Sequence, residues 1–275
     1  MAYQSFDYTV AAHVAHIRFN RPDKRNSMTM AFWNEMRTVF AAIAEQPEVR
    51  AVVISSSGPH FTAGMDLAVF GSMQSEASDE ARKREHLRRQ VLWFQECFNV
   101  IDRCRVPVLV AVQGGCIGGG VDLISACDMR YCSADAFFVI KEIDLGIVAD
   151  VGTLQRLPTL MPHGLVRELA YTGRNLSAAD AQACGLINAV YASHAEMVKS
   201  VLAIAGVIAA KSPLAIAGTK EMLNYGRDHS IAEGLNYVAT WNAGMLGSTD
   251  LTAAIAGART KETPRYEDLD VKRKA

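Results

Sequence analysis

The 275-residue sequence has almost no net charge, and this lack argues against one broad class of function. Its 28 lysines and arginines are balanced by 29 aspartates and glutamates, giving a formal charge of −1. Such a chain has no general electrostatic attraction for nucleic acid or for anionic membranes. One basic segment, Ala81–Arg89, fits the solvated face of a helix better than a binding patch. We therefore expect no nucleic-acid partner and no membrane partner.

The sequence also lacks paired cysteines, long apolar runs and targeting signals. None of its six cysteines forms a CxxC pair, so we interpret them as reduced, buried thiols. The seven histidines show no metal-binding spacing, and we expect no metal. No apolar run reaches membrane-spanning length without interruption. The N-terminus has no charged-then-apolar signal and Val271–Ala275 is not a peroxisomal address, so we expect a cytoplasmic protein.

What the sequence does contain is material for a large α/β core, because half of its residues are hydrophobic. Strand-like and helix-like segments alternate for about 190 residues, and the rest is almost entirely helical. This order predicts a partly parallel sheet wrapped by helices. We divide the chain into a core over residues 1–195, a helical region over 196–260 and a charged tail over 261–275.

A glycine-rich turn, Gln113–Asp122, follows a predicted strand and opens a helix. Its spacing gives neither G-x-G-x-x-G nor an ending of the G-K-[ST] type, which argues against dinucleotide and triphosphate binding. Glycines at a helix start still allow close approach of a ligand, and the free N–H groups of the first turn can serve an oxyanion hole. Tight packing between strand and helix explains the turn equally well.

A second small-residue turn, Phe61–Asp66, lies between a predicted strand and the next helix. Two such turns on strand–loop–helix junctions are expected to face one crevice beyond the ends of parallel strands. The second turn therefore offers another N–H donor for the same site.

Together these segments resemble the signatures of the enoyl-CoA hydratase/isomerase (crotonase) superfamily. The resemblance runs in order from about residue 5 to residue 260. Any one motif would be weak, but the set is highly specific. It consists of Arg21-Pro-Asp-Lys-Arg-Asn26, Phe61-Thr-Ala-Gly-Met-Asp66, Gln113-Gly-Gly-Cys-Ile-Gly-Gly-Gly-Val-Asp122 and Gly152-Thr-Leu-Gln-Arg-Leu-Pro158.

The resemblance implies a crotonase fold of repeated ββα units with a helical C-terminal region that makes a homotrimer or homohexamer. It implies an acyl-CoA thioester as substrate, with coenzyme A part of that substrate and no separate cofactor. The superfamily's two oxyanion N–H donors fall on Met65 and Gly119. Its contacts to the coenzyme A moiety fall, more loosely, on four residues: Arg25, Ala63, Asp66 and Leu67.

Three carboxylates distinguish this chain within the superfamily. The two glutamates of the hydratases correspond to Asp122, which is shorter by about 1.5 Å, and to Glu142. Asp150 stands where hydratases carry a glycine, and a carboxylate is costly in an apolar channel unless it is functional. An alternative is that Asp150 turns outward and caps the helix that begins near Gly152. The set most resembles the superfamily's dienoyl-CoA isomerases.

The implied chemistry shifts two double bonds, from a 3,5-dienoyl to a 2,4-dienoyl thioester. It needs a base near C2, an acid near C6 and an oxyanion hole, but no metal, nicotinamide or nucleophile. By position we assign Glu142 as base, Asp150 as acid and Asp122 as a supporting group, although the first two roles could be exchanged. The acid must have a raised pKa to stay protonated near neutral pH.

Four other functions compete with this interpretation. An enoyl-CoA hydratase with unusual acids is the nearest, followed by a 3-to-2-enoyl-CoA isomerase, which needs only one acid/base. A Clp-type serine peptidase shares the ββα core, but no histidine in the motif segments is placed to serve Ser125. An RNA-binding member of the family would use Arg82–Arg89, which the near-zero net charge disfavours.

Overall fold

The computed structural model describes residues 3–72 and 76–269, and within them the chain forms nine strands and eleven α-helices. The strands are β1 Phe6–Ala11, β2 Val14–Phe19, β3 Ala51–Ser56, β4 Val108–Val112, β5 Gly115–Ile117, β6 Met129–Ser133, β7 Phe137–Val139, β8 Leu176–Ser177 and β9 Ala189–Tyr191. The helices are α1 Met30–Ala44, α2 Leu67–Ser72, α3 Glu80–Asp102, α4 Gly119–Ser125, α5 Thr153–Leu160, α6 His163–Thr172, α7 Ala178–Ala183, α8 His194–Ala209, α9 Pro213–Tyr225, α10 Ile231–Met245 and α11 Thr249–Thr260.

The main sheet has six strands in the order β1-β2-β3-β4-β6-β9. Strands β1 and β2 form an antiparallel hairpin, and every other neighbouring pair is parallel. The predicted α/β architecture with a partly parallel sheet is therefore confirmed. The parallel strands end at one edge, where the loops that follow β3 and β4 carry the two small-residue turns.

Alternation along the central strands separates two hydrophobic layers, because successive side chains of a strand point to opposite faces. In β3, Val52 and Ile54 pack into the larger cluster with α1, α3 and α4. Ala51 and Val53 face the other way, against the buried face of α8. The sheet is thus covered on both sides, and the predicted site lies on the side of the larger cluster.

A second sheet, in the order β5-β7-β8, holds the glycine-rich turn. Strand β5 lies inside that turn and pairs in parallel with β7. We expected only a turn at this position, because three residues that include glycine carry no strand signal of their own. The pairing with β7 imposes the extended conformation there.

The helical C-terminal region is joined to the core by buried polar contacts. Lys220 of α9 donates from Nζ to Asp128 Oδ2 at 2.7 Å and to the Val106 carbonyl at 3.2 Å. Farther along, Arg50 donates to the Tyr266 carbonyl and to Asp268. The predicted tail thus folds back on the core as far as residue 269, and residues 270–275 lie outside the described part. The division at residues 195 and 260 stays a prediction.

Within the described residues, no single helix is long and apolar enough to span a membrane. One pair, α8 with α9, meets the criteria of length and composition together, but it is bent by 107°. The apolar face of α8 is buried against the sheet.

The first prediction concerns the ion pair between α9 and the core. Lys220→Met should lower the free energy of unfolding by about 2 kcal/mol, because it leaves the Asp128 carboxylate without its cation in a largely buried setting. The loss stays below that of a fully buried pair, since Asp128 Oδ2 keeps the Val108 N–H at 2.7 Å. Urea unfolding measures it, with the exposed Lys199→Met as control. Equal stability of both variants would contradict the assignment.

Candidate active site

One cavity of about 560 Å³ collects eight of the nine site residues that the sequence predicts. It lies between the turn after β3, the start of α4, the segment that follows β7, and helices α1 and α3. The predicted residues in its wall are Ala63, Met65, Asp66, Leu67, Gly119, Asp122, Glu142 and Asp150. The ninth, Arg25, is not in the wall.

The two small-residue turns are joined by main-chain hydrogen bonds, as expected for turns that share one crevice. Phe61 N donates to the Gln113 carbonyl at 2.8 Å, and Thr62 N donates to the Gly115 carbonyl at 3.1 Å. Ile117 N returns a bond to the Thr62 carbonyl at 3.2 Å. The relative position of the turns is therefore set by the backbone.

Two main-chain N–H groups are left over where the turns meet. Gly119 opens α4, so its N–H has no partner within the helix. The neighbouring Met65 N–H also donates to no group in residues 3–72 and 76–269. A methyl group added at Gly119 would lie 3.9 Å from Met65 N, so the two donors are close together. Two converging free N–H groups at a helix start can hold a developing negative charge.

Glycine is required twice in this arrangement. A Cβ on Gly64 would come within 2.6 Å of the Ile117 carbonyl oxygen, and its φ of +84° is unfavourable for other residues. A Cβ on Gly120 would lie 2.5 Å from Thr62 Cγ2. The sequence left tight packing of strand and helix and an oxyanion hole as equal explanations of the glycines. In the structure, tight packing of the glycines and two free N–H groups occur at the same place.

Asp122 is the deepest of the three acids and has 1% of its surface exposed. Its Oδ1 accepts a hydrogen bond from Thr153 N, the first residue of α5, at 2.7 Å. Burial, then the charge of Glu142, raises the pKa of Asp122 to about 7, although the bond from Thr153 opposes the rise. Asp122 thus stabilises the start of α5 and keeps a proton in much of the neutral range.

Glu142 begins a short 3₁₀-helix, Glu142–Leu145, directly after β7. Burial raises the pKa of Glu142, backbone N–H groups at 141 and 142 oppose the rise, and the charge of Asp150 adds to it. Its Oε2 is buried and has no hydrogen-bond partner among the described residues. A carboxylate oxygen kept free of partners in a cavity wall is available to accept a proton from a ligand.

Asp150 lies at the more open part of the cavity. The residue is exposed, but surrounding protein atoms partly desolvate its carboxyl and raise its pKa. Among the described residues, the first turn of α5 donates no hydrogen bond to the Asp150 carboxyl. The N–H of Thr153, which begins α5, is bound by Asp122 instead. The alternative in which Asp150 caps the helix is therefore wrong.

The four residues expected to contact coenzyme A differ in their placement. Asp66 Oδ2 accepts from Ser27 Oγ at 3.0 Å, and its Oδ1 accepts from Ala68 N at 3.1 Å at the start of α2. Leu67 is 69% exposed at the cavity rim. The Arg25 carbonyl accepts from Ala63 N at 2.9 Å. Their role in binding stays a prediction.

Sequence reasoning missed the apolar walls of the cavity. Those on α1 and α3 have the periodicity of ordinary core positions, and only the fold shows which of them face the cavity. They are Trp33, Val91, Phe94, Ile117, Leu145, Ile147 and Val151, accompanied by Ser27, Gly64, Gly118 and Lys141. A missed polar residue is Asn26, which is buried and donates to the Ser57 and His60 carbonyls.

The serine-peptidase alternative and the expected lack of a metal site can both be compared with the geometry. Ser125 is buried and its hydroxyl donates to the Asp122 carbonyl at 2.7 Å, which is a helix contact rather than the position of a nucleophile. In the described ranges, no group of three or more His, Cys, Asp or Glu side chains is arranged to hold a metal ion.

Comparison with known proteins extends these observations. Residues 9–264 match the enoyl-CoA hydratase/isomerase family. The chain is 50% identical over 258 residues to a human protein named Delta(3,5)-Delta(2,4)-dienoyl-CoA isomerase, mitochondrial, covering 92% of this chain and 79% of the human one. It is 44% identical over 259 residues to a protein of Arabidopsis thaliana with the same name but described as peroxisomal, covering 93% of each.

Among solved structures, an enoyl-CoA hydratase from Bacillus anthracis superposes with a TM-score of 0.86 at 29% identity. The superposition covers 96% of this chain and 99% of that one. The fold therefore extends over nearly the whole length of both proteins.

The second prediction concerns the buried carboxyl of Asp122. A folded-state pKa near 7, against an unfolded value near 3.8, means that the folded chain binds the extra proton between these values. Stability from this group is therefore present at low pH and falls as the pH rises toward 7. Asp122→Asn keeps an acceptor for Thr153 N–H and removes the charge, so it should stabilise the protein by on the order of 2 kcal/mol at pH 8.

The gain should shrink steadily as the pH is lowered from 8 to 5, as measured by urea unfolding at each pH. Asp23→Asn, at an exposed position, serves as control and should show no such trend. A variant that is less stable than the parent at pH 8 would overturn the protonation assigned to Asp122.

Proposed function

Because the chain belongs to the enoyl-CoA hydratase/isomerase family and has its crotonase fold, we propose that it is an isomerase that converts 3,5-dienoyl-CoA to 2,4-dienoyl-CoA. One observation carries the proposal. Asp150, the carboxylate that sets this chain apart from the hydratase pattern, lines the same cavity as Glu142 and the two free N–H groups. The names of the relatives that are 44–50% identical support the same reaction.

The first step removes a proton from C2 of the acyl chain. That proton is acidic because it lies next to the thioester carbonyl and is also allylic. Glu142, with an Oε2 that has no hydrogen-bond partner, is the base. The electrons move into an extended dienolate whose charge rests on the thioester oxygen, where the N–H groups of Met65 and Gly119 donate to it.

The second step returns a proton at C6, the far end of the dienolate. Asp150 is the acid, and partial desolvation raises its pKa in the direction that this role requires. Protonation at C6 leaves the double bonds at C2 and C4 and restores the neutral thioester carbonyl. Glu142 then holds the proton from C2, and exchange with solvent restores both acids for the next turnover.

Asp122 has a supporting role in this proposal. It binds the N–H of Thr153, three residues beyond Asp150, at 2.7 Å. When it is protonated, it also adds no negative charge beside Glu142, which would otherwise disfavour the ionised base.

The reaction moves protons and electron pairs only, so it requires no metal, nicotinamide or other cofactor. Coenzyme A is bound as part of the substrate, and Ala63, Asp66, Leu67 and Arg25 are proposed to contact it. A cytoplasmic location stays a prediction. It does not fit the relatives, which are named mitochondrial and peroxisomal.

We also propose that the chain forms a homotrimer or homohexamer through its C-terminal region. The support is a set of large apolar side chains that this region exposes in the single chain. They include Leu223 at 70%, Ile231 at 84%, Leu235 at 64% and Leu246 at 63% exposure. Exposed apolar area of this extent is typical of an interface.

The third prediction tests the reaction and its two acids. The wild-type protein should produce the absorbance of a 2,4-dienoyl-CoA from a 3,5-dienoyl-CoA. Asp150→Asn and Glu142→Gln should each lower kcat by about 100-fold or more, because each removes one proton-transfer group. Asp180→Asn, an exposed carboxyl on α7, serves as control.

Near-wild-type turnover by Asp150→Asn would eliminate its role as acid. Water addition to a 2-enoyl-CoA, without formation of the dienoyl product, would instead identify the protein as a hydratase.

The fourth prediction tests the two N–H donors. A methyl group at Gly119 would fill the space 3.9 Å from Met65 N and press on Met28 Sδ at 3.2 Å. Gly119→Ala keeps the N–H but places a methyl group beside the two donors, where it would obstruct the thioester oxygen. It should therefore lower kcat by about 100-fold, as loss of an oxyanion donor does. Stability should change little, because the Met28 side chain is flexible and alanine favours the helix.

Gly164→Ala is the matched control, since a methyl group there would have nothing within 4 Å. Turnover is measured with the same absorbance assay and folding by thermal unfolding. Full activity of Gly119→Ala would show that the thioester oxygen lies elsewhere.

A further inference from the structure

The segment from Asp150 to Thr153 carries one proposed catalytic acid, and the acid itself is held by its own main chain. Within the described residues, the Asp150 carboxyl accepts no side-chain hydrogen bond and forms no ion pair, but it interacts with its own main-chain N–H. The direction in which this carboxyl points therefore depends on how the main chain of the segment is held.

Three elements hold that main chain. Asp122 of α4 binds Thr153 N at 2.7 Å, and Arg156 of α5 approaches the Val151 carbonyl at 3.5 Å. The third contact is made to Asp150 itself, whose carbonyl accepts from Gln95 Nε2 at 2.7 Å. This last bond connects helix α3 directly to the peptide unit that carries the acid.

Gln95 lies on α3 next to Phe94, which lines the cavity, but Gln95 is not in the cavity wall. One turn farther along the same helix, Asn99 Oδ1 accepts from Arg156 Nη2 at 2.6 Å. Side chains four residues apart lie on one face of a helix. Helix α3 therefore holds the segment at two points, directly at Asp150 and through Arg156 at Val151.

The contact at Asp150 has no substitute nearby. Gly152, two residues on, has a φ of +129°, a conformation in which glycine provides little resistance to main-chain rotation. Without the bond from Gln95, the hydrogen bonds named above that remain on the segment are the long contact of Arg156 at Val151 and the bond at Thr153, beyond this glycine. Rotation there would swing the carboxyl away from the acyl chain.

We propose that Gln95 is a positioning residue that holds the main chain of Asp150 so that its carboxyl faces the distal end of the dienoyl chain. This inference rests on the isomerase function proposed above. Gln95 touches neither substrate nor reacting atoms, and it acts only through the carbonyl of Asp150.

The two half-reactions depend on different groups. Exchange of the C2 proton with solvent needs the base and the oxyanion donors, whereas formation of the 2,4-dienoyl product also needs the acid. Loss of positioning at Asp150 should therefore affect the same half-reaction that Asp150→Asn affects. A 1 Å displacement of a catalytic group can cost about 100-fold in rate, and a loosened but present acid should cost about tenfold.

The fifth prediction uses Gln95→Met, which keeps the length of the side chain and removes the N–H donor. Its kcat for 3,5-dienoyl-CoA should fall about tenfold with KM within about twofold of the parent value, because the proposed coenzyme A contacts lie on other elements. In deuterium oxide, the ratio of product formed to deuterium gained at C2 should fall, as it should in Asp150→Asn. Glu142→Gln should instead lower product formation and exchange together, because both require removal of the C2 proton.

Gln90→Met is the matched control, because Gln90 is on the same helix, is outside the cavity wall, and its Oε1 has no partner in the described ranges. It should leave kcat and the exchange ratio unchanged. Equal thermal midpoints for both glutamine variants would show that α3 is intact.

The inference is overturned if Gln95→Met keeps full turnover, or if product formation and exchange fall together while those of Asp150→Asn do not. Failure of the proposed function has a different signature, since the wild-type protein would then form no 2,4-dienoyl-CoA at all.

Discussion

The cost of removing carboxylates from water governs this site. Asp122 is buried and Glu142 partly buried in a cavity with largely apolar walls, and burial raises the pKa of both and of the more exposed Asp150. Such a placement is tolerated only where protons or hydrogen-bond donors compensate for the lost solvation. Here the compensation comes from Thr153 N–H and from protonation, so that the acids are kept near the range in which they can exchange protons.

Much of the fold could be predicted because its elements are long and periodic. Helix α1 follows Thr29, whose side chain caps it, and each of the four C-terminal helices follows a serine whose side chain accepts a bond from the first turn. Short elements were not predictable. Strand β5 and the two-residue β8 exist only because β7 lies beside them, and no local pattern encodes a neighbour that is distant in sequence.

The site shows the same division. The polar residues were identifiable because a carboxylate or a run of glycines is unusual in an apolar segment, and eight of nine predicted positions lie around one cavity. Trp33 and Phe94 were not, because a cavity wall and a packed core have the same composition. The partner of Asp122 was also beyond reach, since nothing local indicates that its carboxylate binds the start of α5, 31 residues away.

The two turns that meet at Met65 and Gly119 present main-chain donors, and this has an evolutionary consequence. A side-chain acid can be gained, shortened or lost by a single substitution, but no substitution deletes a peptide N–H except one to proline. The electrophilic half of the cavity is thus inherited with the fold, while the acids around it are free to diverge. A family built in this way is expected to diversify its reactions by exchanging carboxylates at positions such as 122 and 150 over an unchanged backbone.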